Sequence, residues 1–498
     1  MLEKISIDKK NEVYMLVQAE PGIEQEISEY FTFFIPGYRF MPSYRNKMWD
    51  GKIRLFNLRS KELYIGLLDH LLKFSKERQY EIEYKSFPKS LNKYDKEDYE
   101  RFAKSLALTI NARDYQIDTF LYAINHERCL LLSPTASGKS FIIYLLLRYY
   151  QQKLPTFKAL IVVPTTSLVA QMKSDFADYS KTDNWDASEN IHQIYAGKDR
   201  VSPKPIYIST WQSLYKMTIN YYAEFDFILG DEAHLFKAKS LTSIMEKTTK
   251  TKYKFGTTGT LDGTLTHKLV LEGLFGKTYT VTTTKDLIDK KTLSPFQIKC
   301  LVLQYPEKLC ELVKSYNYKE ELNCIVSNEA RNRFIRNLAI SLSNNTLVLF
   351  QMVEKHGRII YDLIKEKTKK ERKIFFVYGG TETSDREDIR KIVESESDAI
   401  IVASYGTFST GINITNLHNV IFASPSKSRV RNLQSIGRGL RKNASKEIAT
   451  LYDISDDFTY KSYKNYTLKH FVERIKIYNE EQFEYKIIIV PIGAPQKF

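Results

Sequence analysis

Short apolar runs rich in Val, Ile and Phe, each followed at once by polar or glycine-rich residues, recur in two stretches of the chain. The first stretch holds RCLLLS (128–133), KALIVV (158–163), PIYIS (205–209), FDFIL (225–229) and KFGTT (254–258). The second holds TLVLF (346–350), KIFFV (373–377), AIIVAS (399–404), NVIFAS (419–424) and IATLYD (448–453). Runs of this length, apolar on both faces and alternating with helical periodicity, predict buried parallel strands. The helical segments fall at 138–150, 166–179, 329–343, 354–368, 384–395 and 428–440. The fold class is therefore α/β, with two tandem, doubly wound parallel-sheet lobes.

The first 94 residues have shorter elements and predict a small α+β domain, followed by a polar linker, KSFPKSLNKYDKEDYE (85–100). The expected organisation is an N-terminal domain at 1–94, a first lobe at 95–283, a second at 284–455 and an extension at 456–498. In that extension LKHFVERIKIY (468–478) predicts a helix and KIIIVPI (486–492) a strand.

Charge narrows the partner class. The formal net charge is +15 over 498 residues, which favours a polyanion but does not separate DNA, RNA and anionic membrane. The longest apolar runs, such as FIIYLLL (141–147), fall far short of the roughly 20 residues a spanning helix needs. The start, MLEKISIDKKNE, lacks an apolar core and does not read as a signal peptide. Cys129, Cys300, Cys310 and Cys324 show no CxxC spacing, so a reducing compartment is expected. A soluble, cytoplasmic protein without a membrane partner follows as the expectation.

SPTASGKS (133–140) stands between a predicted strand and a predicted helix, the setting of a phosphate-binding loop. Its small residues, Thr135, Ala136, Ser137 and Gly138, let backbone N–H groups approach phosphates, and the helix dipole adds to the attraction. Lys139 would reach the β- and γ-phosphates of ATP, and Ser140 would ligate Mg²⁺. DEAH (231–234) ends an apolar strand with carboxylates. Asp231 would hold Mg²⁺ through water, Glu232 would orient and deprotonate the attacking water, and His234 would link the nucleotide site to neighbouring loops.

Further motifs fill the intervals. In RDYQ (113–116), Gln116 is placed to read an adenine edge with Arg113 in support. VPTTSLVAQ (163–171) and STWQS (209–213) leave predicted strands with the hydroxyls of Thr165, Thr166 and Thr210. These suit a nucleic-acid backbone, although each could equally cap a helix. TTGT (257–260) offers Thr258 and Thr260 to the same backbone and could couple those loops to the nucleotide. In the second lobe, ASYGTFSTGIN (403–413) supplies Thr407 for strand phosphate and Gly411 for nucleotide. SPSKSRVRNLQSIGRGLRK (424–442) carries six basic residues and no acid. Gln434, Arg438 and Arg441 share one helix face, and the arginines could act as fingers on the transferring phosphate.

These motifs, in this order over about 105–455, resemble superfamily 2 helicases. LFG (274–276), KDLIDKKTLSPF (285–296) and the arginine-rich run look closest to the UvsW-type helicases of T-even bacteriophages. The resemblance implies two RecA-like lobes and DNA-stimulated ATP hydrolysis, and in a phage-encoded chain the host cytoplasm. It also implies branched substrates (Holliday junctions, stalled forks and R-loops with their RNA–DNA hybrid), strand annealing, and roles in recombination, replication and repair. A monomer working beside other recombination or replication proteins is expected. The chain departs from common patterns at Ser133, where Gly is usual, at Gly259, where Ala is frequent, and in PTTSL, which lacks the Arg of PTREL. An RNA helicase and an ATP-regulated annealing protein stand as alternatives.

Residues 39–61 hold seven Lys or Arg against one acid, interleaved with aromatics. Arg45, Lys47, Lys52 and Arg54 could pair phosphates while the rings stack bases or support an opened duplex end. Equally, the aromatics could form a small core inside a solvated cationic shell.

Overall fold

All ten apolar runs form strands, and every strand in the two large sheets is parallel to its neighbours. The computed structural model describes residues 3–86, 93–195, 197–369, 371–411, 414, 416–426, 428, 432–433, 435–437 and 448–492. The first large sheet runs Ile191–Ile194, Ile206–Thr210, Ala159–Val163, Phe227–Asp231, Tyr253–Thr258, Arg128–Leu132, Thr278–Thr280. The second runs Ile374–Val377, Ile400–Ser404, Thr346–Phe350, Asn419–Phe422, Ala449–Asp457, Phe296–Gln304, Tyr485–Pro491. Numbered within its own lobe, each sheet has the strand order 3-4-2-5-6-1-7. The two lobes are thus RecA-like copies of one topology, an identity the apolar runs only hinted at.

The strand at 374–377 departs from the buried pattern. It lies at the edge of its sheet, where Ile374, Phe375 and Phe376 are half-buried. The edge strands Ile191–Ile194 and Thr278–Thr280 were not foreseen, because they are short and polar at several positions. The C-terminal helix, Tyr466–Glu480, and strand, Tyr485–Pro491, are present as expected. The strand pairs in parallel with Phe296–Gln304 and completes the second sheet.

Residues before the first lobe form a five-stranded sheet with helices Pro21–Tyr30 and Leu68–Arg78. Its core is continuous with that of the first lobe: Ile5, Met15, Phe31 and Phe74 belong to the same buried cluster as Leu130, Ile228, Phe236 and Phe275. Polar contacts reinforce this seam. Glu12 pairs with Arg128 at 3.1 Å, the Tyr64 hydroxyl donates to Glu246 at 2.6 Å, and His70 meets Glu272 at 2.7 Å. The molecule accordingly divides into one unit of 1–133 with 138–282 and another of 283–498 with 134–137. The polar stretch after 92 is partly helical, since Asp95 caps Lys96–Lys104 through Glu97 and Asp98 backbone N–H groups. Among the described residues, no helix is long and apolar enough to cross a membrane.

Candidate nucleotide site

The strand order explains which motifs meet. Strand Tyr253–Thr258 lies between Arg128–Leu132, which feeds the phosphate loop, and Phe227–Asp231, which ends in the acidic motif. TTGT is therefore the physical bridge between them. The Ser133 N–H donates to the Thr258 carbonyl at 2.8 Å, and the Thr257 hydroxyl donates to Asp231 Oδ1 at 2.8 Å.

The loop itself turns through two left-handed residues, Ala136 at φ 66° and Gly138 at φ 82°. Ser137 closes the turn, its N–H and hydroxyl both donating to the Pro134 carbonyl. Gly138 then starts helix Lys139–Lys153. A Cβ at Gly138 would stand 2.3 Å from Gln116 Nε2, so the glycine is needed for the close approach of that amide. Gln116 is buried, and its Oε1 accepts from the Arg113 N–H at 2.9 Å while Arg113 Nη1 donates to Tyr115. Gln116 thus holds the start of its helix and also abuts the loop.

Lys139 Nζ reaches Glu232 Oε1 at 3.3 Å, with both side chains about four-fifths buried. Asp231 is buried beside them. Burial pushes its carboxyl above the usual range, and the Lys139 charge works against that shift. A divalent cation would relieve the same desolvation, and Ser140 Oγ with the Asp231 carboxylate is a hard-oxygen pair suited to Mg²⁺. The residues present fit that ion.

His234 Nδ1 lies 2.9 Å from Thr258 Oγ1 and 3.4 Å from Glu232 Oε2. The route from the Glu232 carboxylate to TTGT is therefore two contacts long. Thr258 is fully buried, its hydroxyl also donating to the Thr260 carbonyl, and Thr260 is nearly so. In this structure both hydroxyls face the protein interior, where they fit the coupling reading of TTGT. Thr210 and Thr407 are buried too, tied to Ser213 at 3.2 Å and Ser404 at 2.8 Å. Thr165 caps helix Thr166–Tyr179 through the Leu168 N–H, and Thr166 is exposed. Gly411 ends helix Tyr405–Gly411. Gln434, Arg438 and Arg441 lie outside the described residues. Arg45, Lys47 and Arg54 are exposed and Lys52 half-buried, on the N-terminal domain.

Two participants had no role assigned by the sequence. Thr257, the first residue of TTGT, holds Asp231, and Tyr179, the last residue of its helix, places its hydroxyl 2.8 Å from Ser140 Oγ. Tyr179 belongs to no motif, and only the sheet order and the helix packing reveal what the two side chains touch.

Comparison with known proteins follows the same division of the chain. Residues 4–85 match the family "DNA helicase UvsW, N-terminal", 88–263 match "Type III restriction enzyme, res subunit", and 329–443 match "Helicase conserved C-terminal domain". The ATP-dependent DNA helicase uvsW of Enterobacteria phage T4 is 33% identical over 494 residues, spanning 95% of this chain and 96% of that protein. The chain belongs to the UvsW family of DNA helicases.

The crystal structure of T4 UvsW covers 98% of this UvsW-family chain at 32% identity, with a TM-score of 0.51. The Type ISP restriction-modification enzyme LlaBIII bound to DNA covers 78% at 16% identity, with a TM-score of 0.56, and shows the fold alone. The enzyme is thus an ATP-dependent helicase of superfamily 2 with tandem RecA-like lobes.

Proposed function

We propose that this UvsW-family enzyme uses ATP and Mg²⁺ to unwind or branch-migrate branched DNA, including four-way junctions, forks and R-loops. Strand annealing accompanies that activity, and recombination, replication and repair are its setting. The observation that carries the motor reading is the unbroken series Lys139, Glu232, His234, Thr258, which ties the phosphate loop to TTGT.

Lys139 pairs with Glu232. When ATP binds, Lys139 turns to the phosphates and leaves Glu232 free to orient and deprotonate water. Ser140 and Asp231 would hold Mg²⁺, which would supply charge neutralisation on the phosphates. Gln116 and Arg113 take the base, and Arg438 and Arg441 stabilise charge on the transferring phosphoryl group. Glu232 and His234 transmit the nucleotide state to Thr258 and Thr260. Thr210 ends its strand, and Thr165, Thr166 and Thr407 lie at the start of the helices that follow strands, where small shifts can bring hydroxyls to a nucleic-acid backbone.

Branched substrates follow from the resemblance to UvsW-type helicases and are supported by the cationic, aromatic segment 39–61 of the N-terminal domain, where Arg45, Lys47, Lys52 and Arg54 would meet duplex phosphates. The test is ATP turnover with a four-way DNA junction, single-stranded DNA and RNA of equal length. The proposal expects the junction to stimulate most; stimulation by RNA alone would overturn it in favour of an RNA helicase.

A further inference from the structure

Strands Thr32–Phe34 and Lys52–Arg54 pair antiparallel, and the 17 residues between them form a projection. Its tip is a 3₁₀ turn, Tyr38–Phe40, followed by the short helix Pro42–Arg45. The sequence leaves two fates for its aromatics, a small core or an exposed stacking surface. The structure divides them between the two.

Tyr38 is the inner part. It stacks on Phe34 with centroids 4.7 Å apart and meets Tyr44 edge-on at 4.8 Å. Gly51, at φ 81°, admits its ring, since a Cβ there would come within 2.3 Å of it. Trp49 is oriented by its Nε1–H, which donates to the Lys52 carbonyl at 2.9 Å. The outer part is Phe40 and Met48, 77% and 74% exposed, the two most exposed large apolar side chains among the described residues. Met48 lines a cleft of about 600 Å³ together with Arg39, Tyr44, Arg45, Lys47, Trp49 and Asp50, and Phe40 follows Arg39 in the chain. Asp50, the one acid between residues 35 and 54, lines the cleft too, but it is paired with Arg54, and Arg39, Arg45 and Lys47 leave the cleft cationic.

Exposed apolar side chains beside a cluster of cations suit a ligand that is both apolar and anionic. A nucleotide freed from its pair is such a ligand: it offers a π-face and a phosphate together. Paired duplex offers the phosphate alone, because its bases are stacked away. We infer that this cleft binds an unpaired nucleotide at a DNA branch point, with Phe40 and Met48 inserted as a wedge against the last closed base pair. Arg39, Arg45 and Lys47 take the flanking phosphates, and Tyr44 and Trp49 receive the base. The inference rests on the proposed action on branched DNA, and adds that the N-terminal domain opens the branch as well as gripping it.

The test uses the full chain and four-way junctions carrying 2-aminopurine at the branch or within an arm. Wild-type protein raises fluorescence at the branch and not in the arm. The double substitution Phe40→Ala with Met48→Ala, at exposed positions, abolishes that rise and slows junction unwinding by about tenfold, the loss expected for one stacked base. DNA-free ATP turnover and the melting temperature are unchanged, since neither side chain touches the nucleotide site or the core. Arg45→Ala with Lys47→Ala weakens junction binding and flattens its salt dependence. No rise at the branch with wild type, or unwinding unchanged in the Phe40/Met48 variant, overturns the wedge, whether the tip instead meets an acidic protein or nothing. If the Arg45/Lys47 variant also binds junctions normally, the reading of the domain as a DNA grip fails with it.

Discussion

The Tyr179 hydroxyl lies 2.8 Å from Ser140 Oγ, joining the end of helix Thr166–Tyr179 to the candidate Mg²⁺ ligand. The same helix starts at Thr165 and Thr166, candidates for nucleic-acid contact. One rigid element thus has its first turn at one site and its last residue at the other. Ser140 can give its proton to Tyr179 and keep its lone pairs for a cation.

Tyr179→Phe removes that hydrogen bond and keeps the ring, which packs on Phe141 and Tyr144. A bond of this kind contributes about 1 kcal/mol, so the apparent KM for Mg²⁺–ATP rises roughly three- to tenfold. Turnover at saturation stays within about twofold, because the reacting groups are untouched. Steady-state ATPase assays against Mg²⁺–ATP check this; an unchanged KM contradicts it.

The second lobe is built around buried ion pairs. Arg331 and Asp456 are fully buried and joined at 2.7 Å, with the Tyr305 hydroxyl donating to the same carboxylate at 2.7 Å. Removing one partner strands the other charge, at a cost of about 3–5 kcal/mol. Arg331→Leu and Asp456→Leu are each expected to lower the melting temperature strongly, whereas the double variant recovers much of the loss. Equal or additive losses in thermal melts would show that the pair is not the source.

His356 gives this lobe a pH dependence. Its Nδ1 lies 2.9 Å from Ser424 Oγ, where the arginine-rich run begins, and its Nε2 lies 3.5 Å from Arg331 Nη1. Burial, with the Arg331 charge second, pushes its pKa down from 6.5 to about 3. The folded form keeps the ring neutral while the unfolded chain takes up a proton below pH 6.5. The stabilisation is therefore complete above pH 6.5 and is lost as pH falls toward 3, by up to about 1.4 kcal/mol per pH unit. His356→Gln should flatten the fall in melting temperature between pH 6.5 and 5; an unaltered slope would assign the dependence elsewhere.

The strands and the helix Thr166–Tyr179 were legible because burial on both sheet faces writes itself as unbroken apolar runs, and helix periodicity survives in Val169, Met172 and Phe176. Strand order was not legible, since parallel pairing leaves no local mark, and it is the order that sets TTGT between the phosphate loop and the acidic motif. Lys139, Asp231 and Glu232 could be foreseen from spacing, whereas Tyr179 and Thr257 act through tertiary contacts. The sequence offers Thr258 to a nucleic-acid backbone along with Thr165, Thr166 and Thr210; its burial against His234 depends on a helical turn 24 residues away in sequence. The merging of the N-terminal core with that of the first lobe was likewise hidden, because a polar linker reads as separation even where the domains it joins share a core.

ATP hydrolysis at Lys139 and Glu232 is proposed to drive the remodelling of DNA branches. The most direct measurement is the conversion of a labelled four-way junction to duplex products by wild-type protein and by Lys139→Ala, with annealing of complementary strands followed alongside. Wild-type protein is expected to convert the junction in an ATP-dependent manner, and Lys139→Ala to lose both conversion and ATP turnover while retaining annealing. Conversion by Lys139→Ala at the wild-type rate would contradict it and leave a protein that pairs strands without a motor.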